Sequence, residues 1–470
     1  MSSLKLNIPE LTYESLFQTE SLNKLEQHFL THLHQHNPAL HTDLLSYRNA
    51  AQTFTPRQKS ELLIACAKVL ETFLADLFGI RQALQTTAQQ FRQHDPVFAF
   101  KKWFVLRRAR RRLSKKEPLE SFAELDTWLS EQLSVNSEQL SGRRGPLSPL
   151  SADSDHKGLT TDKEHAVALL AKRYLADKNA YADEIEKLTR WCIRALTTPE
   201  GKTAVQNWIS FRLPQQIDPA HLVPLIAQPN DAAGRLAGPH HTRRQRQGFK
   251  LTDSRMSARQ IQSELNYCLY CHDHENDFCS QGFPQASPEL EIISQTKPDR
   301  FAKPVRFSSF KIDPFDNTLT GCPLDEKISE MQRLKRDGYT IAALAMIMID
   351  NPNCPLTGHR ICNDCMKACI YQKQEPVNIP QIETRILTDV LSLPWGIEIY
   401  DLLTRWHPLR QTQYLPKPHN GLKILIAGMG PAGLTLAHHL LMEGFTVVGI
   451  DGLKIEPLPE HLIKLSLIHI

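Results

Sequence analysis

The sequence contains no apolar run long enough to cross a membrane. Its longest uninterrupted apolar stretch, Ile341 to Ile349, is about half of the roughly 20 residues that a spanning helix needs. Residues 1–16 also lack the apolar segment of a secretory signal. These two absences predict a cytoplasmic protein without a membrane span.

A large excess of charge of either sign is also missing. The 470 residues carry 55 Lys and Arg against 51 Asp and Glu, which gives a net charge of +4. This balance excludes a protein whose whole surface is committed to nucleic acid or to anionic lipid. A chain of this length exceeds what one hydrophobic core usually serves, so we expect several domains.

Cysteine is used sparingly, with 10 residues in the chain, and most of them are crowded together. Cys66 and Cys192 each stand alone in an apolar helical context and are predicted to be core residues. In a cytoplasm that keeps thiols reduced, the crowding of the others indicates metal or redox chemistry rather than disulfides. These are Cys268, Cys271, Cys279, Cys322, Cys354, Cys362, Cys365 and Cys369.

Composition divides the part of the chain that precedes these cysteines. Residues 1–140 are predicted to form a helical domain of unknown role, 141–160 a linker rich in Ser, Pro and Gly, and 161–255 a second helical region. Capping boxes are predicted at Thr55 with Gln58 and at Thr161 with Glu164. After the first box, apolar residues recur at helical spacing: Leu62, Leu63, Cys66, Leu70, Phe73, Leu74 and Leu77.

One segment of the N-terminal half is strongly basic. Residues 97–116 contain nine Lys and Arg and no acidic residue, interleaved with aromatic side chains. The simplest interpretation is a helix whose aromatic side chains face a core while its charges face water. The second interpretation is a docking surface for a protein partner. The third and least favoured is a site for the phosphates of nucleic acid or lipid.

The spacing of the crowded cysteines predicts metal binding. CLYC and CNDC each leave two residues between thiols, which lets both thiolates turn onto one centre, in zinc sites as in iron–sulfur clusters. Cys322 is followed by proline, as is the final cysteine of ferredoxin-type runs. On the zinc interpretation, His272 and His274 are further candidate ligands. The cysteines favour iron–sulfur but leave both metals open.

The segment after the cysteines has the pattern of a dinucleotide-binding βαβ unit. An apolar strand leads into GMGPAG, a helical stretch follows, and a second strand ends in an acid. The first glycine allows a tight turn, the second lets the backbone approach a pyrophosphate at the helix N-terminus, and the third lets helix and strand pack closely. The final acid would accept hydrogen bonds from a ribose hydroxyl. The candidate cofactor-binding residues are Gly428, Gly430, Pro431, Ala432, Gly433 and Asp451.

The motifs CLYC, GCPL, TGHRICNDCMKAC, EPVNIPQIE and GMGPAG follow one another in this order. With them, residues 256–455 resemble the small, β-type subunit of bacterial glutamate synthase and the N-terminal half of dihydropyrimidine dehydrogenase. The resemblance implies a mainly α chain: a helical N-terminal region, then an α-helical iron–sulfur domain over 256–421. At 422–464 it implies the incomplete start of an α/β Rossmann-like FAD-binding domain.

The resemblance also implies two 4Fe–4S clusters and their ligands. One cluster would be held by Cys268, Cys271, Cys279 and Cys369. The other would be held by Cys322, Cys362, Cys365 and Glu383. A carboxylate in place of a thiolate changes the charge and hydrogen bonding at a cluster, so the two clusters are expected to differ electronically.

The sequence departs from the family pattern in its spacing. The gap between the second and third crowded cysteines is longer than usual, an insertion precedes GCPL, and CNDC is shorter than expected. Cys354 has no counterpart in the pattern. It either replaces Glu383 as a cluster ligand or is a bystander.

The activity that the resemblance implies is electron relay. NAD(P)H would reduce FAD, and single electrons would pass through the two clusters to a partner protein domain or subunit. No catalytic acid or base is expected among the residues of this chain, because this chemistry belongs to the cofactors.

The last residues predict an incomplete flavin site. A Rossmann sheet needs more than two strands, and relatives continue well past the second. Residues 465–470, LSLIHI, match what a sequencing adapter would encode in frame, with a genuine apolar strand as the alternative. We therefore expect this polypeptide alone to retain little FAD and to be inactive as an oxidoreductase.

A second interpretation belongs to a different functional class. The chain would be a zinc-stabilised binding or adaptor protein that acts through its helical N-terminal 255 residues, with the basic segment as the docking surface. Iron with acid-labile sulfide would support the oxidoreductase, and zinc without sulfide would support the adaptor.

Overall fold

A computed structural model of the chain describes residues 5–113, 120–136, 162–222, 225–228, 231–238, 254–274, 276–285 and 310–452, without the side chains of 358–360. The predicted linker 141–160 and the segment 465–470 lie outside these ranges, as do residues 114–116 of the basic segment. Within the described ranges the fold is mainly α, which confirms the predicted fold class.

The chain folds into two compact units that are each assembled from separate stretches. Unit 1 comprises Met1–Ala88, Pro219–Pro224 and Cys268–Ile470, and unit 2 comprises Gln89–Asp218 and Leu225–Tyr267. The first helices of the chain therefore belong to the same unit as the crowded cysteines. Composition predicts domains that are continuous stretches of the chain. The contacts in the structure instead group distant stretches into one unit.

The helical elements are short to medium in length. The α-helices in chain order are α1 Thr19–His36, α2 Pro38–Ala50, α3 Pro56–Leu77, α4 Arg81–Arg92, α5 Asp95–Phe100, α6 Arg110–Arg112, α7 Phe122–Val135, α8 Lys163–Ala176, α9 Ala182–Thr197, α10 Pro199–Ala204, α11 Ala258–Tyr267, α12 Phe278–Gln281, α13 Ile328–Arg336, α14 Thr340–Met348, α15 Cys354–Ile361, α16 Asp364–Lys367, α17 Ile379–Leu391, α18 Gly396–Arg405 and α19 Pro431–Met442. Between α5 and α6 lies a π-helix, Lys101–Ala109. Single 3₁₀ turns are Glu14–Phe17, Ala51–Thr53 and Cys271–His274. None of the described helices is both long and apolar enough to cross a membrane.

Two small sheets complete the described structure. In unit 2, β1 (Ile226–Ala227) pairs antiparallel with β2 (Leu236–Ala237). In unit 1, β3 (Lys423–Ala427) pairs parallel with β4 (Thr446–Ile450), and α19 connects them. The second pair is the βαβ unit that the sequence predicts.

Helix α3 begins as its sequence predicts. The Gln58 backbone N–H donates to Thr55 Oγ1 at 3.2 Å, and the Thr55 N–H donates to Gln58 Oε1 at 2.8 Å. This reciprocal pair satisfies two N–H groups that a helix start otherwise leaves open. All the predicted apolar positions of α3, from Leu62 to Leu77, are buried.

The second predicted capping box is wrong. Asp162 is the N-cap of α8 and accepts from the His165 N–H at 3.1 Å, while Thr161 lies outside the described residues. Glu164 is buried instead, where it accepts from the Ser210 N–H at 2.7 Å and pairs with Arg259 at 3.0 Å. Because the Glu164 carboxylate binds these two groups from other parts of the chain, it does not cap the start of α8.

The core of unit 1 is built around α14, whose nine residues are all buried. It packs on α3, α13 and α17. Glu71 of α3 accepts the Ala342 N–H of the first α14 turn at 3.0 Å, which satisfies an open donor at that helix end. Trp406 is fully buried and donates from Nε1 to Glu26 Oε2 at 2.7 Å. These contacts join the N-terminal helices to the helices of the cysteine-rich region.

Unit 2 has a separate aromatic core. Trp191 of α9 is fully buried, and its ring lies edge-on to Phe211 with 5.8 Å between centroids. Phe100 and Phe104 join the same cluster from α5 and the π-helix. Cys192 is buried in this core, and Cys66 is buried in unit 1, so both lone cysteines are core residues as predicted.

Candidate functional site

Four cysteines from distant parts of the chain line one cavity in unit 1. The cavity holds about 320 Å³ of space that no protein atom fills, part of it open to solvent. Much of the rest of the wall is apolar and includes Leu269, Ile328, Ile370, Val377 and Ile379. The four thiols, called here the first thiol group, are Cys268, Cys271, Cys279 and Cys369.

Short turns present the first three of these thiols. Tyr270 adopts a left-handed conformation with φ +54°, and its N–H donates to Cys268 Sγ at 3.3 Å. Cys271 opens a 3₁₀ turn, and Cys279 lies in the single turn of α12. A positive φ strains a tyrosine, so the surrounding structure must hold Tyr270 of the CLYC motif in this conformation.

All four members of the first thiol group are free thiols. Burial raises the pKa of Cys268 to about 12 and that of Cys271 to about 11. A hydrogen bond with Cys369, together with burial, raises the pKa of Cys279. Because metal ligands are thiolates, binding at this cavity would release protons.

A carboxyl group that the sequence interpretation missed also lines the cavity. Asp277 lies in the wall beside the four thiols, and its Oδ1 is buried without a hydrogen-bond partner. Burial raises the pKa of Asp277 to about 8. Its place two residues before Cys279 is the only signal in the sequence, and an acid in a polar loop ordinarily faces water.

A second group of thiols gathers around Cys365. Burial raises the pKa of the Cys365 thiol most, and the charges of Cys322, Glu326, Glu383 and Cys362 raise it further. Cys362 is exposed, whereas Cys322 and Cys365 are half-buried. Cys322, Cys362 and Cys365 with Glu383 are called the second thiol group. The Cys322 N–H donates to the Cys279 carbonyl at 2.8 Å, which links the two groups through the backbone.

Two carboxyl groups, of Glu383 and Glu326, lie at or near the second thiol group. Glu383 Oε1 is buried without a hydrogen-bond partner, and burial raises the pKa of Glu383. Glu326, which the sequence interpretation missed, is buried and accepts from Asn351 Nδ2 at 2.9 Å. Burial raises the pKa of Glu326 to about 7. Cys354 is buried beside both carboxyl groups, which also raise its pKa.

His272, the candidate ligand next to Cys271, already lies against two protein side chains. His272 is buried, its Nδ1 lies 2.6 Å from Ser329 Oγ, and its Nε2 lies 3.4 Å from Asp273 Oδ1. His274 ends the same 3₁₀ turn. Within the described residues, no three His, Cys, Asp or Glu side chains form a group that could hold a single metal ion, so the observation that brings the first thiol group together is the shared cavity.

The glycine turn of the βαβ unit connects β3 to α19. Gly428 has φ +99°, and a Cβ on Gly433 would lie 1.9 Å from the Gly428 carbonyl oxygen. Both positions therefore require glycine. A Cβ on Gly430 would meet open space, which leaves its backbone accessible to a ligand. Pro431 and Ala432 form the first turn of α19.

Asp451 closes this turn from the end of β4. Its Oδ2 accepts the Met429 N–H at 2.6 Å, and the Gly428 N–H donates to the Ile450 carbonyl at 2.7 Å. The acid therefore lies beside the glycine turn. Several apolar side chains of the unit are at least half exposed: Leu422, Leu425, Leu436, Leu441, Val448 and Ile450.

Comparison with known proteins links different parts of the chain to different relatives. Residues 6–79 match the family model described as the RP005 N-terminal alpha-helical domain. The uncharacterized protein RP005 of Rickettsia prowazekii is 26% identical over 321 residues, which are 67% of this chain and 93% of that protein. The uncharacterized protein RP006 of the same organism is 59% identical over 108 residues, or 23% of this chain. That match covers only 15% of the length of RP006.

A third relative has a named activity. The glutamate synthase [NADPH] small chain of Mycobacterium tuberculosis is 30% identical over 128 residues, which are 27% of this chain and 23% of that protein. The chain is thus similar over part of its length to an oxidoreductase subunit. No solved structure gives a significant match.

Proposed function

We propose that the chain is the iron–sulfur part of a flavoprotein oxidoreductase that relays electrons between NAD(P)H, FAD and a protein partner. The observation that carries the proposal is the convergence of the first thiol group on one cavity from distant parts of the chain. The partial similarity to the glutamate synthase small chain supports the same activity. Clusters at these sites would supply single-electron transfer, and the flavin would supply hydride chemistry.

The first thiol group has the donor chemistry that a 4Fe–4S cluster requires. Its four members are free cysteines, as in the all-cysteine sites that hold such clusters. The largely apolar wall excludes bulk water on most sides, and such exclusion is one of the factors that set cluster potential. The residues proposed to hold this cluster are Cys268, Cys271, Cys279 and Cys369.

The second thiol group offers three thiols and a carboxylate for the other proposed cluster. The unpaired, buried Oε1 of Glu383 supports its assignment as the fourth ligand, since a buried carboxyl oxygen without a partner is costly. Cys354 is the alternative fourth ligand, because it is buried beside the same carboxyl group. Cys322, Cys362 and Cys365 would supply the other three ligands.

The glycine turn fits the pyrophosphate of FAD. Gly430 leaves its backbone open to the ligand, and α19 begins at the next residue, so its N-terminus offers free N–H groups. Asp451 is positioned next to the turn, where it would orient a ribose.

Anaerobic purification with iron–sulfur assembly proteins co-expressed tests the proposal. About eight iron and eight acid-labile sulfide atoms per chain are expected, corresponding to two four-iron clusters. Dithionite reduction should bleach the visible absorption and give paramagnetic signals. A colourless preparation without iron, or zinc without sulfide, would reject the proposal and favour the zinc-stabilised adaptor.

A further inference from the structure

The basic segment of unit 2 folds as a π-helix over Lys101–Ala109. The Arg110 N–H donates to the Val105 carbonyl, which is the i to i−5 bond of this wider helix. Buried side chains recur at steps of four and five residues, at Phe100, Phe104, Val105 and Ala109. The wider winding therefore keeps the apolar positions on one face, against the core of unit 2.

The opposite face of this segment is cationic and exposed. Lys102, Arg107, Arg110 and Arg111 are exposed, and Trp103 is 37% exposed among them. These five residues are called the basic strip. The Arg107 guanidinium lies 4.4 Å from the centre of the Trp103 ring, and Lys102 Nζ lies 5.8 Å from it.

The side chains of the four cations of the basic strip make no hydrogen bond or ion pair in the part of the chain that the structure describes. The nearby acid is already engaged, because both Glu186 oxygens accept from Arg112, at 2.8 and 2.9 Å. Glu186 also accepts from Arg190 at 3.2 Å. Within the described residues of unit 2, no acidic side chain therefore pairs with the cations of the strip.

Lipid surfaces, nucleic acids and acidic proteins are three classes of ligand for a basic, aromatic surface. The contacts of this segment argue against the first two. Insertion into a lipid surface needs an exposed apolar face, and here Phe100 and Phe104 are buried. Stacking of a nucleobase on Trp103 would compete with the two cations that already lie over its ring. The Arg107 guanidinium beside this ring makes no hydrogen bond within the described residues, so its N–H groups remain available to carboxylates.

We propose that the basic strip is a docking surface for an acidic segment of a partner protein. Charge complementarity selects this partner, because four unpaired cations on one helix face match a run of Asp and Glu side chains. The proposal concerns unit 2 alone and does not depend on any metal or flavin in unit 1.

Fluorescence anisotropy with a labelled peptide of twelve glutamates tests the proposal on the full chain. The strip variant carries Lys102→Gln, Arg107→Gln, Arg110→Gln and Arg111→Gln. The control variant removes the same charge from exposed lysines elsewhere, with Lys24→Gln, Lys172→Gln, Lys178→Gln and Lys202→Gln. The strip variant should bind about tenfold more weakly than the parent or worse, and the control should stay within about twofold. Binding to the parent should weaken with added salt, because the strip is exposed.

Three results would overturn the proposal: absence of peptide binding by the parent, equal loss in both variants, or preference for another anion. The last is measured with a twelve-nucleotide oligothymidylate and with phosphatidylserine vesicles, and tighter strip-dependent binding of either would reassign the surface. If circular dichroism shows that the fourfold variant is unfolded, the double variant Arg110→Gln with Arg111→Gln replaces it. It should still bind several-fold more weakly than the parent.

Discussion

The two thiol groups use the same ligand chemistry in different surroundings. The first has four thiols at one cavity, none of them exposed, with the one carboxyl group of Asp277 beside them. The second has three thiols, one of them the exposed Cys362, with the half-buried Glu383 among its members and the buried Glu326 nearby. Charge, hydrogen bonding and solvent exposure set cluster potentials. Two clusters held at these positions would therefore differ in potential, as a directional relay requires.

The comparison also shows what holds the two groups together. Helix α13 borders the first cavity through Ile328, Ser329 and Gln332, and α17 carries Glu383 of the second group. Both helices pack on the buried helix α14. A change at α14 should therefore act on both groups, and a change at one cysteine should act on one.

The largest expected effect is the loss of one whole cluster. Cys279→Ala removes a proposed ligand of the first group and Cys365→Ala a proposed ligand of the second, so each variant should lose about four of about eight iron atoms. Iron and sulfide analysis after anaerobic purification measures this, and Cys192→Ala in unit 2 is the matched control. If either variant lost all its iron, the two groups would not be separate centres.

The next effect concerns the fourth ligand of the second group. Glu383→Ala should remove or convert one cluster, because Glu383 is the proposed fourth ligand and its buried Oε1 has no hydrogen-bond partner. Cys354→Ala should keep about eight iron atoms, and Glu383→Gln should keep the cluster with altered electronic spectra. Paramagnetic resonance of the reduced variants measures these changes. Loss of the cluster in Cys354→Ala, with retention in Glu383→Ala, would assign the ligand to Cys354.

The sequence predicted much of this arrangement, because its motifs are local. The capping box of α3, the βαβ unit and the glycine turn each depend on residues that are close in the chain, and the structure has all three. The grouping of Cys369 with Cys268 follows from the family resemblance rather than from spacing.

Other features depend on tertiary burial and left no local signal. Glu164, Asp277 and Glu326 are acids in polar stretches that the fold happens to enclose. Likewise, no periodicity in the first 88 residues indicates that these helices share a unit with the cysteines. Their docking depends on single long-range contacts, such as that of Glu71 with α14.

A smaller effect concerns the pH dependence of stability that comes from Glu71, whose contact with α14 supports both thiol groups. Burial raises the pKa of Glu71 from 4.5 to about 7. The folded state therefore binds a proton at Glu71 more tightly than the unfolded state does, and this difference adds to the free energy of unfolding. The added stability is complete below pH 4.5 and is lost as the pH rises to about 7. The loss should be on the order of 3 kcal/mol.

Glu71→Gln should flatten this pH dependence, because the amide oxygen can still accept the Ala342 N–H without becoming charged. Urea unfolding of parent and variant at pH 4.5 and pH 8 measures the difference. In the variant at pH 8, iron should be retained at both thiol groups alike. Selective loss from one group would contradict the shared support through α14.

The smallest expected difference is kinetic. Cys362 is exposed, so oxygen and water reach the second group more readily than the enclosed first group. Cys279→Ala, which keeps only the second cluster, should therefore bleach several-fold faster in air than Cys365→Ala, which keeps only the first. Visible absorption against time measures both rates. Equal rates would mean that the two centres are equally accessible, and the exposed thiol would then no longer distinguish them.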